Sequence, residues 1–192
     1  MFKSYLTSTL RDIFNNKGYS AINIFGLAVA LAASLLISLF VEDELGYDEF
    51  IPNGDNTYRM EVLAKSSTRT DERYPYFMGA YAPMFKEQSS DVLDSTRYQT
   101  NQLAVAVGDR YFYEDVTFAD KNFIEFMGIE APANSLNDQL SIVISKTTAN
   151  KYFPSEDAVG KIMTIAGQVD YRVTHVMPDL PRKSHMAITM IA

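Results

Sequence analysis

The 192-residue chain has no cysteine, no tryptophan and only two histidines, His175 and His185. Without cysteine there is no disulfide framework, no thiolate zinc site and no cysteine nucleophile. The two histidines show no ligand-like spacing, and zinc needs three or four close ligands, so they do not read as a metal site. No G-x-x-x-x-G-K-[ST] loop occurs, which removes the usual cradle for nucleotide phosphates. G-x-S-x-G, G-x-G-x-x-G and H-E-x-x-H are missing too, so the common hydrolase, dinucleotide and zincin readings lack their signatures. Basic residues are the minority, 17 Lys plus Arg against 24 Asp plus Glu, for a net charge of −7 and a pI near 4.8. Such a chain is a poor partner for the phosphate backbone of nucleic acid. These absences lead to an expectation of no catalytic residue, no cofactor and no metal: the chain is not read as an enzyme.

Charge is also missing from one continuous stretch. From Gly18 to Val41 no residue is charged, and Ala21 to Val41 is almost wholly apolar. About 20 helical residues at ~1.5 Å rise cross a ~30 Å hydrocarbon core, so this run has spanning length. Lys3, Arg11 and Lys17 precede it against only Asp12, while Glu42, Asp43, Glu44, Asp48 and Glu49 follow it. The part up to Val41 carries +2 (three basic, one acidic), and the remainder −9 (14 basic, 23 acidic). The positive-inside rule then places the N-terminus in the cytoplasm and everything after Val41 outside. A cleaved signal peptide is the rival reading, because Ala28-Val29-Ala30 and Ala30-Leu31-Ala32 match A-x-A. Both tripeptides lie inside the apolar run, which continues to Val41 and favours a retained anchor.

Residues 1–17 read as a cytoplasmic amphipathic helix lying on the membrane, with Phe2, Tyr5, Leu6, Thr9, Leu10, Ile13 and Phe14 on one side. Asn15-Asn16-Lys17-Gly18 reads as the turn into the transmembrane helix, 18–41. Within the span, Gly26, Ala30, Ser34 and Ser38 recur every four residues and make a stripe of small side chains where another helix can approach. Residues 42–56 read as stalk and turn. Glu42, Asp43, Glu44 and Leu45 follow the span without Gly or Pro, a helical continuation is expected to Phe50, and Pro52-Asn53-Gly54-Asp55-Asn56 ends it. The acids of this stretch lack the regular oxygen spacing of an EF-hand loop and read as a solvated face.

The rest, 57–192, reads as an α+β extracytoplasmic domain. A strand is expected over 57–64, a polar loop over 65–73, and a helix over 80–93 with Tyr81, Met84 and Phe85 on one face and Pro83 in its first turn. Strands are expected at 95–100, 103–107, 111–114 and 116–119, with Gly108-Asp109 as a hairpin turn. Asp120 is expected to cap a helix over 122–127 closed by Gly128, followed by a loop at 131–139, a strand at 141–144 and a helix at 146–153 stopped by Pro154. Strands at 161–166 and 170–176 flank Gly167-Gln168 as a hairpin.

Asn16-Lys17-Gly18-Tyr19-Ser20-Ala21-Ile22-Asn23-Ile24-Phe25-Gly26-Leu27-Ala28, then Asp43-Glu44-Leu45-Gly46-Tyr47-Asp48 and Asn56-Thr57-Tyr58-Arg59, resemble the start of ABC transporter permeases with a MacB-like periplasmic core domain and FtsX-like permease segments. Ala149-Asn150-Lys151-Tyr152-Phe153, Ala158-Val159-Gly160-Lys161, Tyr171-Arg172-Val173-Thr174 and Asp179-Leu180-Pro181-Arg182-Lys183-Ser184-His185 resemble that family's closing signature. His175 stands where the family commonly has Gly. The resemblance implies a bacterial inner-membrane permease whose periplasmic core domain is incomplete at residue 192, with three further membrane helices to follow. It also implies a second permease copy, a separate cytoplasmic ABC ATPase whose hydrolysis moves the periplasmic domain, contact with membrane lipid, and a periplasmic adaptor or an amphiphilic substrate. The alternative from the residues alone is a single-pass anchored binding or sensor module.

Overall fold

The computed structural model describes residues 2–65 and 72–192, and the chain divides into two units, one up to Tyr47 and one from Asp48 onward. In the first unit, α1 (Phe2–Asn15) is followed after Asn16 by α2 (Lys17–Leu45). The turn is tighter than expected: Asn16 alone interrupts the helices, and Lys17 and Gly18 already belong to α2. The Ser20 N–H bonds to the Asn16 carbonyl at 2.9 Å, so helical hydrogen bonding resumes at once. At ~1.5 Å per residue, the 29 residues of α2 extend about 43 Å, more than a hydrocarbon core requires. Every residue from Ala21 to Leu45 is exposed, and the Leu, Ile, Phe and Val side chains point out all around the helix. A helix apolar on every side and left exposed by the described residues is suited to lipid. Among the described residues it is the one helix long and apolar enough to cross a membrane.

Helical structure stops at Leu45, short of the expected Phe50. Asp48 adopts φ +58°, a left-handed conformation that an α-helix cannot pass through, and its N–H bonds to the Lys183 carbonyl at 2.9 Å instead.

The second unit is a closed barrel with small attachments. β1 (Val62–Ala64) pairs antiparallel with β2 (Glu72–Tyr74), so residues 57–61 form no strand and Glu72 and Arg73 belong to one rather than to the expected loop. The remainder of that loop, 66–71, lies outside the described residues. α3 (Tyr81–Gln88) ends before the expected Leu93. Ser89 turns extended, and its hydroxyl accepts the Asp91 N–H, offering the backbone an alternative to another helical turn.

β3 (Tyr98–Val107) and β4 (Arg110–Ala119) form one uninterrupted antiparallel hairpin where four short strands were expected. Asn101, Gln102 and Asp115 are not breaks but polar positions within a ladder that runs from Tyr98↔Ala119 to Val107↔Arg110. The turn has Gly108 at φ +57°. α4 (Phe123–Phe126) follows; the Asp120 carbonyl accepts the Phe123 N–H, while its carboxylate goes to Arg97 rather than capping the helix. The expected loop at 131–139 contains a 3-10 turn, Ala133–Leu136, with Ser135 and Leu136 buried.

β5 (Ser141–Ser145) leads into α5 (Lys146–Tyr152), where the Ser145 hydroxyl accepts the Thr148 N–H as an N-cap. β6 (Ile162–Ile165) and β7 (Val169–Met177) form the final hairpin, its turn made by residues 166–168; Ala166, expected in the strand, leaves it at φ +54°, a left-handed conformation no strand can hold, and Gly167 follows at +67°. A last strand, β8 (Met190–Ile191), closes the barrel in the order β3-β4-β8-β5-β7-β6. Closure uses two parallel pairs, β5 with β7 and β4 with β8.

β5 is buried at all five positions because it separates two apolar layers. Ile142 and Ile144 face the barrel interior with Val105, Val116, Met163 and Val173. Val143 faces the opposite way, toward Phe123, Ile124, Met177 and Ile191. The period-2 alternation of a strand lets a single short segment serve both layers.

Candidate functional site

The chain leaves α2 and enters the barrel unit through residues 48–54, and these residues are pinned at successive points. The Asp48 carboxylate accepts the His185 N–H on Oδ1 at 3.0 Å and meets the His185 ring Nδ1 on Oδ2 at 2.8 Å. The Asp48 N–H bond to Lys183 makes a third tie to the same strip, 137 positions away from Asp48 at His185. Partial burial works to raise the Asp48 pKa. The hydrogen bonds from the His185 ring and amide and from Ser184, together with the His185 charge, outweigh it and hold the carboxyl below the usual carboxylate range.

Three residues on, Ile51 donates its N–H to the Asp48 carbonyl at 3.0 Å and packs on the layer formed by Phe123, Ile124 and Met127. Pro52 then lies against Gly128, which has φ +65°. A Cβ at Gly128 would stand 2.5 Å from Pro52 Cδ, 2.7 Å from Cγ and 3.2 Å from the Phe50 carbonyl oxygen. Gly128 therefore serves two purposes: it ends the turn after α4 with a positive φ, and it leaves room for the incoming chain. Asn53, also left-handed at φ +55°, turns the chain into the Gly54–Asn56 3-10 turn.

The strip that receives Asp48 is itself fixed to the barrel. Asp179 accepts the Thr147 N–H at 3.0 Å and its hydroxyl at 2.9 Å, bonds that hold its carboxyl below the usual range. This joins the end of β7 to the start of α5. On the other side of α4, Arg97 forms a bidentate pair with Asp120, at 2.8 Å from Nε and 2.7 Å from Nη2, and reaches the Gly79 carbonyl with Nη1 at 2.9 Å. None of these groups is arranged as a nucleophile with a base, and among the described residues no three His, Asp or Glu side chains come together to hold a metal. The chemistry available here is mechanical: charged and packed connections that resist separation.

The residues expected to matter from the sequence sit on α2. Gly26, Ala30, Ser34 and Ser38 lie four apart, all exposed, with nothing within 4 Å of a Cβ at Gly26 and the Ser38 hydroxyl bonded to the Ser34 carbonyl at 2.9 Å. Glu42, Asp43, Glu44 and Leu45 form its last turn, and the Gly46 N–H bonds to the Glu42 carbonyl at 3.2 Å. Pro52 is expected from the sequence to end the stalk helix and Gly128 to close the helix before it, and Asp48 and His185 fall within motif runs, but none of the four reads from the sequence as an attachment point. His175, the other histidine, lies on β7 beside Val143, just past a bulge at Thr174 whose hydroxyl bonds to the Ser135 carbonyl at 2.8 Å.

A family model described as the MacB-like periplasmic core domain matches residues 20–190. No curated protein sequence matches the chain. Among solved structures, a domain described as part of a permease protein from Porphyromonas gingivalis aligns with a TM-score of 0.55 at 22% identity, covering 63% of this chain and 54% of that one. The periplasmic region of MacB from Actinobacillus actinomycetemcomitans aligns with a TM-score of 0.47 at 14% identity, over 59% and 53%. The extracellular domain of the noncanonic ABC-type transporter YknZ from Gram-positive bacteria aligns at 0.40 and 14%, over 50% and 51%. The chain thus spans about half the length of the solved chains it matches.

Proposed function

Because the chain belongs to the MacB-like periplasmic core domain family, a permease component rather than a catalytic family, we propose that it is part of an ABC transporter permease. In this reading, a separate cytoplasmic ATPase drives motion of the barrel unit. The observation that carries it is the short distance in sequence between an exposed apolar helix and a pinned strand of chain: only Gly46 and Tyr47 separate Leu45 from the Asp48 clasp. A tether would need no such fastening, whereas a chain that transmits displacement must not slip where it joins the domain.

α1 and Lys17 lie on the cytoplasmic side, 18–41 span the membrane, 42–56 act as stalk, and 57–192 are periplasmic. The charge step from +2 to −9 supports that orientation. Gly26, Ala30, Ser34 and Ser38 face α2 of a second permease copy or another membrane helix, and Glu42 to Leu45 carry displacement outward. The barrel unit engages a periplasmic adaptor or an amphiphilic substrate. The family match favours this reading over an anchored sensor module.

Purification of the intact permease from its native membrane in mild detergent tests the assignment. An ATP-binding subunit should copurify, and the permease chain alone should neither bind nor hydrolyse ATP. Reporter fusions at Asn16 and Asn56 should be cytoplasmic and periplasmic respectively. Absence of any ATPase partner, or the reverse topology, refutes the reading.

A further inference from the structure

The barrel is closed, but one of its strands is covered along only part of its length. β4 pairs with β3 over all ten residues, and on its other side with β8 at Thr117 alone. The direction of its backbone groups follows from that contact. The Thr117 carbonyl accepts the Ala192 N–H at 2.8 Å, and the Ala119 N–H bonds to the Ala192 carbonyl at 3.0 Å, so 117 and 119 point away from β3. The N–H and C=O of one strand residue share a side, and sides alternate. Tyr111, Tyr113 and Asp115 therefore turn their backbone groups to an edge that no strand of this chain occupies among the described residues. The side chains of Tyr111 and Tyr113 are exposed at 69% and 71%. Such an edge is a template for another strand.

Its sequence indicates which strand. Arg110-Tyr111-Phe112-Tyr113-Glu114 reads basic, aromatic, aromatic, aromatic, acidic, and is charge-complementary to itself when reversed. We infer that this edge pairs antiparallel with the same edge of a second copy, about a two-fold axis at Phe112. In that register Tyr111 faces Tyr113 of the second copy with both backbone groups aimed across the edge, giving four main-chain hydrogen bonds over the two equivalent pairs. Phe112 faces Phe112, and Arg110 faces Glu114. Glu114 is ready for this role: Lys151 and the Tyr152 hydroxyl both bond to its Oε1, and Oε2 takes no bond among the described residues. Arg110 has no ion pair among the described residues. Lys151 lies over the Phe112 ring, 4.2 Å from its centroid, yet 41% of Phe112 remains exposed. Asp109 would face Asp115, and like charges directly opposite disfavour pairing, so the ladder ends there. This joins the barrels of two permease copies into one sheet, and it rests on the pairing of copies proposed above.

Residues 1–192 contain no cysteine, and any cysteine elsewhere in the intact protein is replaced by serine before the test. In the full-length protein in membranes, Phe112→Cys should form a disulfide dimer with copper phenanthroline. Residues opposite each other in a non-hydrogen-bonded antiparallel pair have Cα atoms about 4.5 Å apart, within disulfide reach. It should form at least about tenfold faster than exposed Gln168→Cys, because held neighbours react at an effective concentration rather than by collision. As Phe112 also packs on Tyr152, a second pair guards against misfolding: Tyr111→Cys and Tyr113→Cys on separately tagged copies should form the mixed dimer faster than either forms its own. Tyr113→Pro should slow the Phe112→Cys reaction, since its N–H serves the open edge and not the β3 ladder. Ala30→Cys on α2 reports pairing of copies independently. Equal rates at Phe112, at the Tyr pair and at Gln168 while Ala30→Cys still crosslinks overturn the edge alone. Loss of crosslinking at every position overturns the pairing of copies as well. Fastest self-crosslinking at Tyr113 overturns the charge-paired register.

Discussion

Gly128→Ala should loosen the attachment of the incoming chain, and the glycines of this fold allow the cause to be separated into parts. Placing a Cβ at φ +65° costs roughly 1–2 kcal/mol through clash with the following carbonyl. The same Cβ would sit 2.5 Å from Pro52 Cδ, well inside van der Waals contact, and forced overpacking costs about 1–3 kcal/mol. The two together give roughly 2–5 kcal/mol, a large fraction of a domain's stability. Gly160 has φ +84° but open space where a Cβ would stand, so Gly160→Ala measures the backbone share alone. Gly54 has neither problem, and Gly54→Ala should be nearly neutral. The assay is urea unfolding of the full chain in detergent, followed by near-ultraviolet circular dichroism of the tyrosines. Limited proteolysis within 48–56 gives a second readout that reports the attachment directly. The order expected is Gly128→Ala, then Gly160→Ala, then Gly54→Ala, with Pro52→Ala restoring part of the Gly128→Ala loss because it removes the ring atoms struck first. If Gly128→Ala matches Gly160→Ala in stability and in cleavage at 48–56, the packing of Pro52 on Gly128 is not what holds the chain.

Three further outcomes follow from named interactions. Asp48→Ala should destabilise by about 1 kcal/mol at pH 7, less than a buried pair because His185 is largely solvated. The Asp48 pKa is lower in the folded state, so its stabilisation is complete above the ordinary carboxylate range and fades as pH falls through the folded value; the gap between wild type and variant should close below about pH 4 in denaturant titrations. Tyr152, whose phenol is raised by burial first and then by the Glu114 charge and hydrogen bond, should stay protonated when exposed tyrosines ionise. Because that folded pKa lies above the unfolded one, stability should fall as pH rises past about 10, and Tyr152→Phe, about 1 kcal/mol less stable at pH 7, should lose less over that range, as unfolding midpoints at pH 8 and pH 11 will show. Insertion of Gly-Gly-Ser after Glu44 in the intact permease should leave membrane insertion unchanged and reduce transport more than a helix-favouring insertion of equal length; normal transport would show that the segment is only a tether.

Sequence alone determined the features that depend on local order. An uncharged run of spanning length, a charge step across it and glycines at hairpin turns are each decided within a few residues by hydration or allowed φ. Gly108-Asp109 and Gly167-Gln168 were therefore readable as turns, and residues 146–153 as a helix. The α+β class and the family resemblance were legible for the same reason. Tertiary structure decided what depends on partners far along the chain. β3 and β4 continue through polar Asn101, Gln102 and Asp115 because each residue of one strand is paired with a residue of the other. β8 has only two residues, too few for an alternating pattern to be read, and exists because β4 and β5 supply its hydrogen bonds from both sides. Asp120 shows the same effect in a side chain: its local position suits a cap, but a bidentate bond to Arg97 is stronger than a single bond to a backbone N–H. The attachment at Asp48 was the least legible of all, because its partners Lys183 and His185 lie more than a hundred residues away, and only closure of the barrel brings a left-handed aspartate and a histidine 137 positions on within hydrogen-bonding distance.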